Sequence, residues 1–362
     1  MKYIDEFRDK DLVKKVAEKI KAIMPPRKVN IMEVCGTHTH AFFRFGLDKV
    51  LPEQLSLISG PGCPVCVSPQ EYIDAAIGLC ARKDTIILTF ADMLRVPGRI
   101  STLEKERAEG AHVRVVYSAL DSLKVARENP AKKIVFLAVG FETTAPTIAL
   151  SILAAKKEKL KNLFFFSSLK LIPPAMELLA RDKDLNLDGF LCPGHVSVII
   201  GTRPYEFIAK KYKIGCCVAG FEPLDILEGI FLLLRQMAVK MPVVDNQYAR
   251  AVTAQGNRKA QELMRRVFKA ADARWRGLSI IPSSGLKIKN EFLEFDAEKS
   301  FGIKYPIGQK EDTKCRCHDV LKGLISPRQC PLFARACAPD HPLGACMVST
   351  EGACNAYFKY KK

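Results

Sequence analysis

The chain has no run of about 18 uninterrupted apolar residues, the length a helix needs to cross a bilayer. Its most apolar stretch, residues 215–241, is broken by Glu222, Asp225, Glu228 and Arg235, which argues against a membrane span. A secretory leader is also missing. The first 24 residues are charged throughout, with no apolar core ahead of a small-residue cleavage site, so a cytoplasmic location is expected. The net charge of +17 forms no long basic tail. The positives fall in small groups, Lys14-Lys15, Lys132-Lys133, Lys156 to Lys161 and Arg265-Arg266, with no interleaved row of aromatics. A solvated basic surface is expected in place of a nucleic-acid interface. The glycine-rich segments contain neither Gly-x-Gly-x-x-Gly nor a Walker Gly-Lys-Ser, so dinucleotide and nucleoside triphosphate binding have no sequence support. Apolar material is not scarce: 48% apolar and 26% charged residues exclude general disorder. A length of 362 residues suits two or three domains.

What the chain does have is cysteine. Of its 13 cysteines, seven are dispersed through the first two thirds and six lie between residues 315 and 354. Size excludes a disulfide-stapled miniprotein, and in a reducing cytoplasm clustered cysteines read as metal ligands or redox thiols.

The hydrophobic pattern is α/β. Residues 3–24 carry apolar positions near a 3.6 spacing and meet Pro25-Pro26, which predicts an N-terminal helix. Short apolar runs follow at 29–34, 55–58, 85–89 and 113–117, then at 134–139, 163–166, 189–192 and 215–219, with helix-like segments between them. Buried parallel strands joined by crossover helices give this alternation. Two small Rossmann-like α/β units are expected, at residues 25–130 and 131–240. A third, mainly helical domain is expected at 241–362, with a long helix over 254–273, a turn at 282–285, and the N-terminal helix 1–24 packed onto it.

Unusual residues collect at the carboxyl ends of the predicted strands, where open α/β sheets place their chemistry. In Glu33-Val-Cys-Gly-Thr-His-Thr-His40, Cys35 and His38 offer a thiolate and an imidazole suited to iron, zinc or copper, or His38 and His40 serve only as caps. In Gly60-Pro-Gly-Cys-Pro-Val-Cys66, Cys63 and Cys66 stand beside a helix start, which suits a redox pair, half of a zinc site, or two inert buried thiols. Glu142 and Thr143 in Gly140-Phe-Glu-Thr-Thr-Ala-Pro146, His195 in Cys192-Pro-Gly-His195 and Glu222 in Gly220-Phe-Glu-Pro223 follow three strands of the second unit. They are expected to face one cleft and orient a ligand or move a proton, unless the carboxylates are merely solvated. Cys80, Cys216 and Cys217 read as core. The tail thiols Cys315, Cys317, Cys330, Cys337, Cys346 and Cys354 read as a metal site, either a [4Fe-4S] cluster or zinc.

Taken together, MEVCGTHTH at 32–40, GPGCPVC at 60–66, GFETTAP at 140–146, PGHVSVIIG at 193–201 and the terminal CMVSTEGACNAYFKY resemble the HypD family of [NiFe]-hydrogenase maturation factors. The likeness spans nearly the whole chain. It implies a scaffold and redox protein for assembling an Fe(CN)2CO group, working with a small HypC-like chaperone, a HypE/HypF-like cyanide-donor pair and, through the chaperone, a hydrogenase large-subunit precursor. It further implies iron held through Cys35 with His38 nearby, a redox pair at Cys63 and Cys66, and Glu142, Thr143, His195 and Glu222 lining the cleft. A [4Fe-4S] cluster on Cys315, Cys330, Cys337 and Cys354 is implied as well, with Cys317 able to exchange roles with Cys315, and Cys346 left over. His318 stands where glycine is expected. A cytoplasmic iron-sulfur thiol-disulfide oxidoreductase working through Cys63 and Cys66 is the alternative.

Overall fold

Apolar runs buried on both faces become parallel strands in the computed structural model, which describes residues 4–303, 305 and 314–361. The strands are β1 Val29–Glu33, β2 Leu55–Ser59, β3 Thr85–Thr89, β4 Val113–Val115, β5 Lys133–Gly140, β6 Leu163–Leu169, β7 Gly189–Pro193, β8 Gly215–Ala219 and β9 Val244–Asn246. They form two parallel sheets, ordered β2-β1-β7-β8-β9 and β4-β3-β5-β6. Every residue of β3, β7 and β8 is buried, as expected for strands covered by crossover helices on both sides. The α/β class with Rossmann-like sheets therefore stands.

The strands assort differently from the expected split at residue 130. Each expected unit is divided between the sheets: β1 and β2 pair with β7 and β8, while β3 and β4 pair with β5 and β6. The chain leaves the first sheet after β2, builds the whole second sheet, and returns at β7, where Ile31 registers with Gly189. Alternation of strand and helix shows that crossovers exist, but it carries no record of which strand each one returns to.

The N-terminal helix, Lys10–Ile23, is capped by Asp9, whose carboxylate accepts from the backbone N–H of Asp11 and Leu12, both at 2.9 Å. Its Ile20 packs with Ile226, Leu227 and Ile230 of the helix Pro223–Ala238. It thus covers the first sheet and does not join the cysteine-rich tail. The expected helix 254–273 is shorter, Arg258–Val267. The following residues switch to extended backbone as β10 Phe268–Trp275, paired antiparallel with β11 Ser279–Ile288. The connection runs through residues 276–278, so the segment 282–285 lies within β11 and does not turn the ribbon. The described cysteine-rich tail includes the short α-helices Cys317–Lys322, Ala345–Val348 and Ala353–Tyr360. The last of these packs on Gly36–Arg44, with the rings of Phe43 and Tyr357 4.4 Å apart. Among the described residues no helix is long and apolar enough to cross a membrane.

Candidate functional site

β1 and β2 are neighbours, so the loops that leave their carboxyl ends touch. Cys35 is the N-cap of Gly36–Arg44. Gly60 donates its N–H to Glu33 O at 2.8 Å, and Gly36 donates to Gly62 O at 3.1 Å. A Cβ at Gly62 would overlap the backbone of Val34 and Cys35. These contacts hold the Cys63 loop directly against Cys35. The tail closes the site from another side: Thr37 donates to Glu351 at 3.0 Å, Gly36 packs on the Glu351 backbone, and Ser349 donates to Asp92 at 2.8 Å.

Burial shifts the groups around Cys35 toward their uncharged forms. The Cys35 thiol is pushed up to about 12 by burial, with Glu351 and Glu33 adding to the effect. Burial also raises the Glu33 carboxyl to about 8, against hydrogen bonds from Thr39 and from the Cys35 N–H at 3.0 Å. His38 is pushed down to about 4 by burial. Its Nε2 lies 2.9 Å from Gly220 O and 3.2 Å from Ala219 O, which assigns the ring proton to Nε2 and, among the described residues, leaves the buried Nδ1 without a hydrogen-bond partner. Phe221 stacks on His195 at 4.0 Å and lies 4.9 Å from the His38 ring. Cys35, His38, Cys63, Cys66 and His195 are thus gathered at the carboxyl ends of one sheet.

Glu222 follows β8 of the same sheet, whereas Glu142 stands apart. Glu142 follows β5 in the other sheet. It is buried, accepts from Ile172 N at 2.9 Å through one oxygen, and is pushed up to about 7 by burial. Thr143 is exposed in the turn after it. Glu222 caps Pro223–Ala238 and is held by Arg8, whose guanidinium donates to it at 2.9 Å. The shared Gly-Phe-Glu spelling serves two separate local tasks, tying down a backbone and capping a helix.

Cys63 caps the short helix Pro64–Val67 and forms a disulfide with Cys66, their Cα atoms 5.2 Å apart. Both are almost fully buried. The Cys66 sulfur lies 3.8 Å from Ala345 O, and the next residue, Cys346, has its sulfur 2.9 Å from that of Cys317. All six tail cysteines line one cavity, with Val320, Phe333, Gly344 and Met347 and no carboxylate among its walls. Cys317 is pulled below the ordinary thiol range by hydrogen bonds from Cys315 and Cys346, with the buried Arg276 assisting, while Cys315 and Cys346 are pushed up. Arg276 in turn donates to Ser68 O at 2.8 Å and to Gln70 at 3.1 Å, tying this cavity to the segment after the disulfide. Among the described residues no group of three His, Cys, Asp or Glu side chains is arranged around a single ion.

Sequence reasoning left Cys317 and Cys346 as extras; the structure makes them a close pair in the wall that they share with the other four thiols. It also missed Glu351, Ser349 and Arg276. The first two sit inside the motif CMVSTEGAC, where attention to sulfur hid the neighbouring oxygens. Cys216 and Cys217 are core, as expected, while Cys80 is only partly buried. His40 bonds Tyr360 at 3.1 Å, and the side chain of His318 is half exposed beside Asp319.

The model of the HypD family, described as the hydrogenase formation hypA family, matches residues 11–361. The chain belongs to the HypD family. Relatives run its full length. The hydrogenase expression/formation protein HupD of Azotobacter chroococcum mcd 1 is 48% identical over 369 residues, covering 99% of this chain and 97% of that protein. The hydrogenase maturation factor HypD of Azotobacter vinelandii is 47% identical over the same length. That of Escherichia coli strain K12 is 43% identical over 371 residues, covering 100% of this chain and 99% of its own.

Proposed function

We propose that this HypD-family chain is a hydrogenase maturation factor that holds iron at Cys35 while an Fe(CN)2CO group for [NiFe]-hydrogenase is assembled. The iron is cargo. A HypC-like chaperone would share it and pass it to the hydrogenase large-subunit precursor, and a HypE/HypF-like pair would supply cyanide. The contact of the Cys63 loop and the Glu351 segment with Cys35 carries this reading, because it sets a buried thiol suited to a soft metal beside a redox-capable cysteine pair. Eleven free cysteines suit a cytoplasmic setting.

The residues divide the work. Cys35 holds its proton until a metal displaces it, so loading releases a proton at neutral pH. Cys35 contributes one thiolate, and a partner's donor with diatomic ligands would complete the coordination. His38, fixed through Nε2, presents Nδ1 as an acceptor or ligand inside the pocket. Cys63 and Cys66 exchange two electrons and two protons in passing between disulfide and dithiol. The tail cavity fits an iron-sulfur cluster by its donor chemistry, soft thiols in an apolar wall. Cys315, Cys330, Cys337 and Cys354 would hold a [4Fe-4S] cluster there, which would supply single-electron transfer. Cys317 and Cys346 line the same cavity, and Cys346 follows the residue whose carbonyl lies 3.8 Å from the Cys66 sulfur.

Anaerobic co-purification with the small partner tests the proposal. Infrared bands of cyanide and carbonyl, with about four iron and four sulfide per chain in the tail, are expected. Cys35→Ala should abolish the infrared bands while leaving the unfolding midpoint near wild type. Stoichiometric zinc without sulfide overturns the cluster, and full cargo in Cys35→Ala overturns the role of Cys35. The oxidoreductase reading is favoured by the disulfide itself, and predicts that generic disulfides are reduced by the chain whether or not Cys35 is present.

A further inference from the structure

A larger cavity lies apart from the cysteines. It opens at the carboxyl end of β6, where the β10–β11 ribbon crosses, and encloses about 960 Å3 including its mouth. Lys170, the residue after β6, stands in its wall. Its backbone is pinned on both sides, donating to Gly140 O at 3.0 Å and bridging to Gly285. Its side chain is only 5% exposed. Buried ammonium groups are normally paired with carboxylates, because an unpaired charge loses its hydration without return. Among the described residues Lys170 has no ion pair; its Nζ donates to Ser168 Oγ at 3.3 Å. Burial alone pulls its pKa down to about 8, with no acid opposing the shift. Lysine carries three donor hydrogens, so two have no acceptor among the described residues.

The rest of the wall defines what fits. Glu71, Asp272 and Glu298 line the cavity without pairing with Lys170; Asp272 accepts from Ser283 N at 3.0 Å, and burial raises Glu298 above the ordinary carboxylate range. The hydroxyl of Tyr72 is committed to Phe166 O at 2.9 Å, so Tyr72 and Leu286 offer the cavity an apolar surface. We propose that this cavity binds a small organic anion, its carboxylate or phosphate seated on the Lys170 ammonium and its apolar part against Tyr72 and Leu286. This site is separate from the iron pocket and does not depend on the maturation reading.

Calorimetric titration of the anaerobically purified full chain with benzoate, phenyl phosphate and inorganic phosphate tests it, the first two separating carboxylate from phosphate ligands. At least one aryl anion should bind in the millimolar range or tighter and outcompete inorganic phosphate. Lys170→Met should weaken that binding by about tenfold to a hundredfold, the range of a charged hydrogen bond, without lowering the unfolding midpoint. A second readout needs no variant: the bound anion should protect Lys170 from reductive methylation mapped by mass spectrometry. Absence of binding by both aryl anions, equal binding by Lys170→Met, or unchanged labelling of Lys170 overturns the proposal.

Discussion

Gly62 is the point at which the Cys63 loop bears on Cys35, and replacing it by alanine tests whether that contact matters. Its backbone is not in the left-handed region, so glycine is needed there for space. The added Cβ would overlap Cys35 N and Cα and the Val34 carbonyl carbon. Val34 is buried, so the strand end has no room to retreat. Overpacking of this kind costs about 1–3 kcal/mol, and the stiffer unfolded chain returns about 0.4–1 kcal/mol. A net loss of about 1–2 kcal/mol is expected for Gly62→Ala. Gly78→Ala is the control: it ends the helix Gln70–Gly78 with nothing within 4 Å of the new Cβ, and should gain about 0.5–1 kcal/mol. Urea midpoints under argon, with constant slopes, give the difference, and iron retention in the partner complex gives the functional arm. Gly62→Ala should also lose iron. A Gly62→Ala protein as stable as Gly78→Ala and retaining iron fully would refute the reasoning.

Two further outcomes follow from buried carboxylates. Glu142 keeps its proton to about pH 7 in the folded state, against an ordinary value of 4.5, so its contribution is fully present below 4.5 and is lost as pH rises through 7. The stability of Glu142→Gln relative to wild type should therefore increase between pH 5 and 8 by up to about 3 kcal/mol; an equal difference at both pH values would contradict the assignment. Asp225 is fully buried and accepts from Arg250 at 2.8 and 2.5 Å, from Gln247 at 2.8 Å and from the Glu222 N–H at 3.2 Å. Asp225→Ala should cost about 3 kcal/mol, the low end for a broken buried pair because Arg250 keeps partial access to water. The double variant with Arg250→Ala should lose less than the sum of the single variants; an Asp225→Ala loss below about 1 kcal/mol would remove the pair as a determinant of the fold.

Much of this was legible in the residues. The runs that became β1 to β8 were visible because burial on both faces writes a strand as continuous apolar sequence, and the cysteines at 35, 63 and 66 were correctly placed at strand ends. Strand partnership was not visible, since β1 joins β7 across more than 150 residues and no local pattern encodes that choice. The helix predicted over 254–273 overran because helical spacing up to Val267 passes without a breaker into residues that pair with β11. Glu142 and Glu222 looked equivalent by motif, yet their carboxylates are used by Ile172 and Arg8, which only the tertiary structure brings to them. The approach of Glu351 to Cys35 was hidden for the same reason.

The return of the chain to its first sheet sets an order of completion during synthesis. The sheet of β3 to β6 is whole once residue 169 has been made, whereas β1 and β2 wait for β7. The acceptors of His38 come later still, at residues 219 and 220, and Glu351 last of all. Domains fold as their segments emerge from the ribosome, so the thiol at residue 35 spends most of translation without the walls that shape its pocket. The fold thereby completes the surroundings of Cys35 only in the finished polypeptide, which makes the environment of that thiol a late product of synthesis.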